Sequence, residues 1–118
     1  MNRSIRYDLS RFKDCTDQDG KPILAFTIRT TDGTDENYAS KQAEARGTTM
    51  TEELIRFSLV SYETADGVHD VNGKTGPFVG FDKWATKARN FVVAAWKKLA
   101  TPDELEIADF FKNATDVA

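Results

Sequence analysis

A long helical stripe near the C-terminus limits what this chain can become. Between residues 82 and 100, Trp84, Ala88, Phe91, Val92, Ala95, Trp96 and Leu99 recur at spacings of three and four. That spacing lines them along one side of an α-helix. Lys83, Thr86, Lys87, Asn90, Lys97 and Lys98 fall elsewhere, and Asp82 near the start with Lys97-Lys98 near the end suits the helix dipole. At 1.5 Å per residue the helix runs about 28 Å, the span of a small domain. With 118 residues, 40% of them hydrophobic, the chain has material for one core and not for two full-sized domains. The helix is predicted to anchor that core through one side.

The N-terminal part needs a different geometry. From Ile5 to Phe12 apolar and polar residues alternate, with Ile5, Tyr7 and Leu9 on one side and Arg6, Asp8 and Ser10 on the other. This period of two predicts a half-buried strand. The polar stretch 13–21 follows, where Asp19-Gly20 signals a turn. Pro22 opens a second predicted strand, 23–30, ending at Asp32-Gly33. Two strands alone are marginal, so helices must cover their apolar face.

Helical signals dominate from Thr34. Asp35 and Glu36 begin a segment that ends at Arg46-Gly47, with acids first and a base plus Gly last. Its apolar content is small, which places it at the surface. Thr49 and Glu52 form a capping box for a second helix carrying Leu54, Ile55, Phe57, Leu59 and Tyr62. Past Arg56 the residues fit alternation as well, which leaves a change to strand near Ser58 open. Residues 64–80, rich in Gly with Asn72-Gly73 and Pro77, read as a loop or a short hairpin. Thr101-Pro102-Asp103-Glu104 restarts the chain as N-cap, N1 Pro and N3 Glu. The last helix carries Leu105, Ile107, Ala108, Phe110 and Phe111. The expectation is one α+β domain over 1–118, a β-rich 1–33 followed by a helical 34–113. In it a short antiparallel ribbon packs on three or four helices.

Little in the sequence proposes chemistry. A net charge of -3 argues against general nucleic-acid binding, which needs a surplus of Lys and Arg. No apolar run reaches the roughly 20 residues of a membrane span, and the absence of an apolar leader suggests a cytosolic protein. Gly67 to Thr75 resembles a phosphate loop, yet five residues separate Gly67 from Gly73 and Val68 stands where Gly is required. Asp17-Gln18-Asp19-Gly20 resembles a calcium loop with Cys15 and Phe26 in place of its two key acids. His69, the single histidine, reads as an exposed loop residue, and Cys15 sits among acids that oppose a thiolate. Carboxylate pairs such as Glu52/Glu53 read as capping or solvated first turns. No catalytic residue, metal or cofactor is expected.

The aromatics say more. Phe78, Phe81, Trp84, Phe91, Trp96, Phe110 and Phe111 concentrate in the last third, and each large ring covers about 150–250 Å². For any single ring a core position is the simpler reading. So small an interior cannot hold them all, and apolar rings left outside mark partner surfaces. The residues singled out for partner contact are Phe81, Trp84, Trp96, Phe110 and Phe111.

Phe81-Asp82-Lys83-Trp84, Lys87-Ala88-Arg89-Asn90-Phe91-Val92, Ala95-Trp96 and Phe110-Phe111 together resemble the C-terminal half of tail assembly chaperones from tailed bacteriophages of the siphophage type. The order of a β-rich start, an acidic helix, a second helix and a terminal helical pair is similar too. The likeness covers about half of the chain, by pattern rather than by a fixed motif. It implies a non-enzymatic protein of the host cytoplasm. Its client would be the tape measure protein, kept from aggregating while tail tube protein assembles around it. A longer frameshifted form of the chain and a homo-oligomer are further partners that the resemblance implies. The alternative is a virion or assembly component that oligomerises through its C-terminal helices. A small enzyme would need a polar pocket that the sequence does not supply.

Overall fold

The computed structural model describes residues 3–71 and 78–112. The early alternation forms strand β1 (Ser4–Asp8), which pairs antiparallel with β2 (Ala25–Arg29) so that Ile5 faces Ile28 and Tyr7 faces Phe26. Both strands are shorter than the pattern suggests. The Asp8 carboxylate accepts from the Ser10 backbone and hydroxyl, which turns the chain out of β1. Between the strands the chain makes a packed loop that buries Leu9, Cys15 and Ile23.

Helix α1 (Gly33–Arg46) begins two residues earlier than the acids suggest, because Asp32 caps it and Asp35 returns the bond to Asp32. It ends at Gly47, whose φ of 70° is the left-handed conformation that glycine adopts freely. Only Ala39 and Ala43 of α1 are buried, in keeping with a surface helix. Helix α2 (Met50–Ser58) opens on the Thr49/Glu52 capping box.

The helical reading of Leu59 and Tyr62 gives way to strand β3 (Leu59–Thr64). The Ser58 hydroxyl donates to the Ile55 carbonyl at 2.6 Å, closing the last turn, and Leu59 is already extended. A short apolar run fits both periods, and the available β2 edge decides between them. β3 pairs antiparallel with β2, with Phe26 opposite Tyr62, and a bulge between Thr27 and Ile28 shifts the register. β4 (Gly67–Asp70) adds a hairpin, completing a four-stranded antiparallel sheet in the order β1-β2-β3-β4. The 64–80 segment is thus a hairpin as far as Asp70, and residues 72–77, with Asn72-Gly73 and Pro77, lie outside the described part.

The long helix starts later than predicted. A 3-10 turn spans Val79–Lys83, and α3 covers Thr86–Ala100. Trp84 is the cause. Its indole Nε1 donates to Gln18 Oε1 at 3.0 Å and the next amide, Ala85, donates to the Thr16 carbonyl. Those ties to the β1–β2 loop hold residues 84–85 extended. α3 then lays Ala88, Val92 and Ala95 toward the sheet, in one apolar cluster with Phe26, Ile28, Ile55, Leu59 and Tyr62. Helix α4 (Glu104–Lys112) follows a short connection. Its cap is Asp103 rather than Thr101: Glu106 N donates to Asp103 Oδ1 and Asp103 N to Glu106 Oε1. Thr101 instead closes α3 in the extended conformation that a following proline favours.

Candidate partner surface

The structure separates the five aromatic residues that the sequence groups together. Phe81 and Trp84 are 7% and 2% exposed, and their rings lie 5.3 Å apart edge to face. Tyr62 meets Trp84 at 5.1 Å and its hydroxyl accepts from Gln18, so these rings are core, fixed by a polar chain from Trp84 through Gln18 to Tyr62. Trp96 is half-buried against the core. Its indole Nε1 is buried and finds no acceptor among the described residues.

Phe110 and Phe111 are 71% and 68% exposed, with ring centres 5.2 Å apart. Leu105 and Ile107 join them at the surface, and α4 has no buried residue. On a helical projection Leu105, Ala108 and Phe111 form one row, with Ile107 and Phe110 beside it. This is an amphipathic helix whose apolar side has no extensive packing against another described element. Glu104, Glu106 and Asp109 make the segment acidic.

Next to the start of α4 lies a groove of about 340 Å³ between the end of β2, the first turn of α2 and the last turns of α3. Met50, Leu54, Trp96 and Leu99 give it apolar walls, and Arg29, Thr30 and Glu36 are among its polar lining. It adjoins a second hollow where Arg3 and Lys98 sit beside Glu106. Neither Lys97 nor Lys98 has an ion-pair partner among the described residues. Sequence reading missed this groove, because its walls come from three separated segments.

The charged clusters explain architecture. The sequence pattern reads Glu53 as a capping or solvated first-turn acid, but it is 0% exposed. Its Oε1 accepts from Arg46 at 2.9 Å, Thr48 at 2.7 Å and Arg56 at 3.0 Å, and Arg56 also pairs with Asp82. α2 turns Glu53 toward Arg46 at the end of α1 and sets its own Arg56 one turn further on. Arg29 forks onto Asp35 with two bonds of 3.0 Å and holds that carboxyl below the ordinary Asp range. Hydrogen bonding from Arg6, across β2, lowers Glu63 in the same way.

Other motif residues also find structural places. His69 is a half-buried residue of β4 rather than an exposed loop histidine: it stacks on Tyr62 at 4.8 Å, and its Nε2 lies 2.9 Å from Thr64 Oγ1. Burial, more than the neighbouring acid, pushes the Cys15 thiol up. Asp17 Oδ1 accepts from the amides of Asp19 and Lys21, so the calcium-like stretch is a self-braced turn. No group of three or more metal-ligating side chains occurs among the described residues. Gly67 opens β4, while Gly73-Lys74-Thr75 lie outside the described part. Among the described residues no helix is long and apolar enough to cross a membrane.

Comparison of the chain with protein-family models, with curated proteins and with solved structures finds no significant match.

Proposed function

We propose that this protein is a tail assembly chaperone of the tailed-phage type. In the host cytoplasm it holds the helical tape measure protein through the apolar face of α4 while the tail tube assembles. The single observation behind this reading is that α4 displays Leu105, Phe110 and Phe111 and buries none of its residues. An exposed row at helical spacing suits a helix-on-helix encounter with an amphipathic client. The chain's net charge of -3 helps keep such a complex dispersed. Phe81 and Trp84 are not part of this surface, because their rings lie in the core.

The test is co-expression with affinity-tagged tape measure protein. Wild type is expected to be retained, and a Phe110→Ala/Phe111→Ala variant with an unchanged circular dichroism spectrum is expected to be lost. Equal retention of both would contradict the reading. The alternative, a structural component of the particle that oligomerises through the same helix, differs in one respect: purified virions would then contain the chain in stoichiometric amount.

A further inference from the structure

We propose that the outer wall of α3 is a second docking surface, separate from α4, and that it takes an acidic amphipathic helix of another polypeptide. The occupant lays an apolar side chain on Phe91 and Ala94 and turns its carboxylates to Lys87 and Arg11.

α3 presents two sides. Ala88, Val92 and Ala95 go to the core. Lys87, Phe91 and Ala94, at spacings of four and three, form a row about a quarter-turn round the helix from them. With Thr86 and Asn90 that row lines an open, shallow dish of about 560 Å³, and its wall is mostly apolar. The β1–β2 loop supplies an edge. The Phe12 ring centre lies 4.7 Å from that of Phe91, and the Arg11 guanidinium sits 5.1 Å over the Phe12 ring. Both rings are half-buried: they pack on the core cluster and keep part of their surface open.

Charge selects the occupant. α3 carries the cations Lys87, Arg89, Lys97 and Lys98 and no acid. Arg89 is tied to the Trp84 carbonyl and the Thr86 hydroxyl, and Lys98 shares its hollow with Glu106. Arg11 and Lys87 have no ion-pair partner among the described residues, and they flank a dish whose lining holds no acid. An apolar floor with two unpaired cations at its edge matches a helix whose apolar row has Asp or Glu beside it. A cationic helix would meet like charge there. A nucleic-acid strand needs a run of cations and open ring faces. Here Arg11 already covers a face of Phe12. The dish lies on the body and its charge is opposite to that of the α4 segment, so the two surfaces suit different partners.

A chemical-shift titration of the full chain at low salt tests this. The probe is a synthetic peptide of Leu, Ala and Glu about three helical turns long, with Leu in one row and Glu beside it. It should shift the amides of Lys87, Asn90, Phe91 and Ala94, and a Lys-for-Glu counterpart should not. Lys87→Glu should weaken binding about tenfold, by losing an ion pair and adding a repulsion. Ala94→Lys adds a cation but fills the dish, so it should weaken binding as well. Both positions are exposed, and Lys and Glu are good helix formers, so the fold is kept. Phe110→Ala/Phe111→Ala should bind the peptide as wild type does. Silence of those amides, equal shifts from the Lys counterpart, a gain with Ala94→Lys, unchanged affinity in Lys87→Glu, or loss in Phe110→Ala/Phe111→Ala would each overturn the proposal. So would an oligothymidylate that moves the same amides as strongly, which would assign the dish to nucleic acid. Shifts there that depend on the concentration of the chain alone would assign it to a second copy and overturn it too. Each of these results leaves the capture of tape measure protein by α4 to its own test.

Discussion

α3 and α4 are both amphipathic, both carry aromatic rings and both have lysine in the last turn, yet one is core and the other is surface. α3 buries Ala88, Val92 and Ala95 and packs Phe91, Trp96 and Leu99 against the main cluster. α4 exposes Leu105, Phe110 and Phe111 and buries nothing. Helical spacing alone does not distinguish them. The difference is a waiting surface: the sheet offers α3 Phe26 and Ile28, and no described element offers α4 its equal. Among the described residues α4 packs extensively on no other element, which is why its apolar side is the surface proposed above for a client.

The widest gap between the two regions should appear on truncating their rings. Trp84→Ala is expected to destabilise the fold by about 3–5 kcal/mol, through the cavity and the orphaned Gln18. Phe110→Ala should stay within about 0.5 kcal/mol of wild type. Chemical denaturation of the two variants under dilute conditions measures both. Comparable losses would erase the distinction between core and surface rings.

The ion cluster at the end of α1 belongs to the body. Glu53→Ala would leave Arg56 buried with Asp82 as its remaining carboxylate partner, and about 3 kcal/mol should be lost. The same assay reads it, and a neutral result would make Glu53 dispensable.

A smaller effect is expected at Asp35. The folded state favours its carboxylate, so its contribution is complete above the ordinary Asp range and disappears as pH falls below 3.8 through the lower folded value. Asp35→Asn should weaken the fold by about 1 kcal/mol at neutral pH and reduce the steepness of acid unfolding. An acid titration curve that overlays wild type would contradict that assignment. Least perturbing is a labelling comparison at Cys15, whose thiol is buried and pushed up. Thiol reagents should modify it only as fast as the body opens, and immediate reaction in the folded chain would contradict its burial.

Features written in neighbouring residues were legible in the sequence. The Thr49/Glu52 box, the Gly47 stop and the stripe from Ala88 to Leu99 rest on contacts within a few positions, and the structure has them where the pattern puts them. The α+β class followed from the change of period along the chain. What stayed hidden depended on distant partners. Trp84 leaves the helix because Gln18, 66 residues away, receives its indole. Leu59 becomes strand because β2 offers an edge. Of the five rings chosen for partner contact, the two fully buried ones were indistinguishable by composition from the two exposed ones, since exposure is a property of the assembled neighbourhood. The groove beside Trp96 had no local signal at all.

Amide hydrogen exchange along α3 and α4, followed across a dilution series and after addition of tape measure protein, puts the claim that α4 is made to be covered to the test. Amides of Ala88 to Ala95 should be slow throughout, while those of Leu105 to Lys112 should exchange freely in the dilute chain and slow when the client is present. Protection of α4 that equals that of α3 in the dilute chain and ignores every added partner would show the helix to be complete in itself, and the account would be wrong.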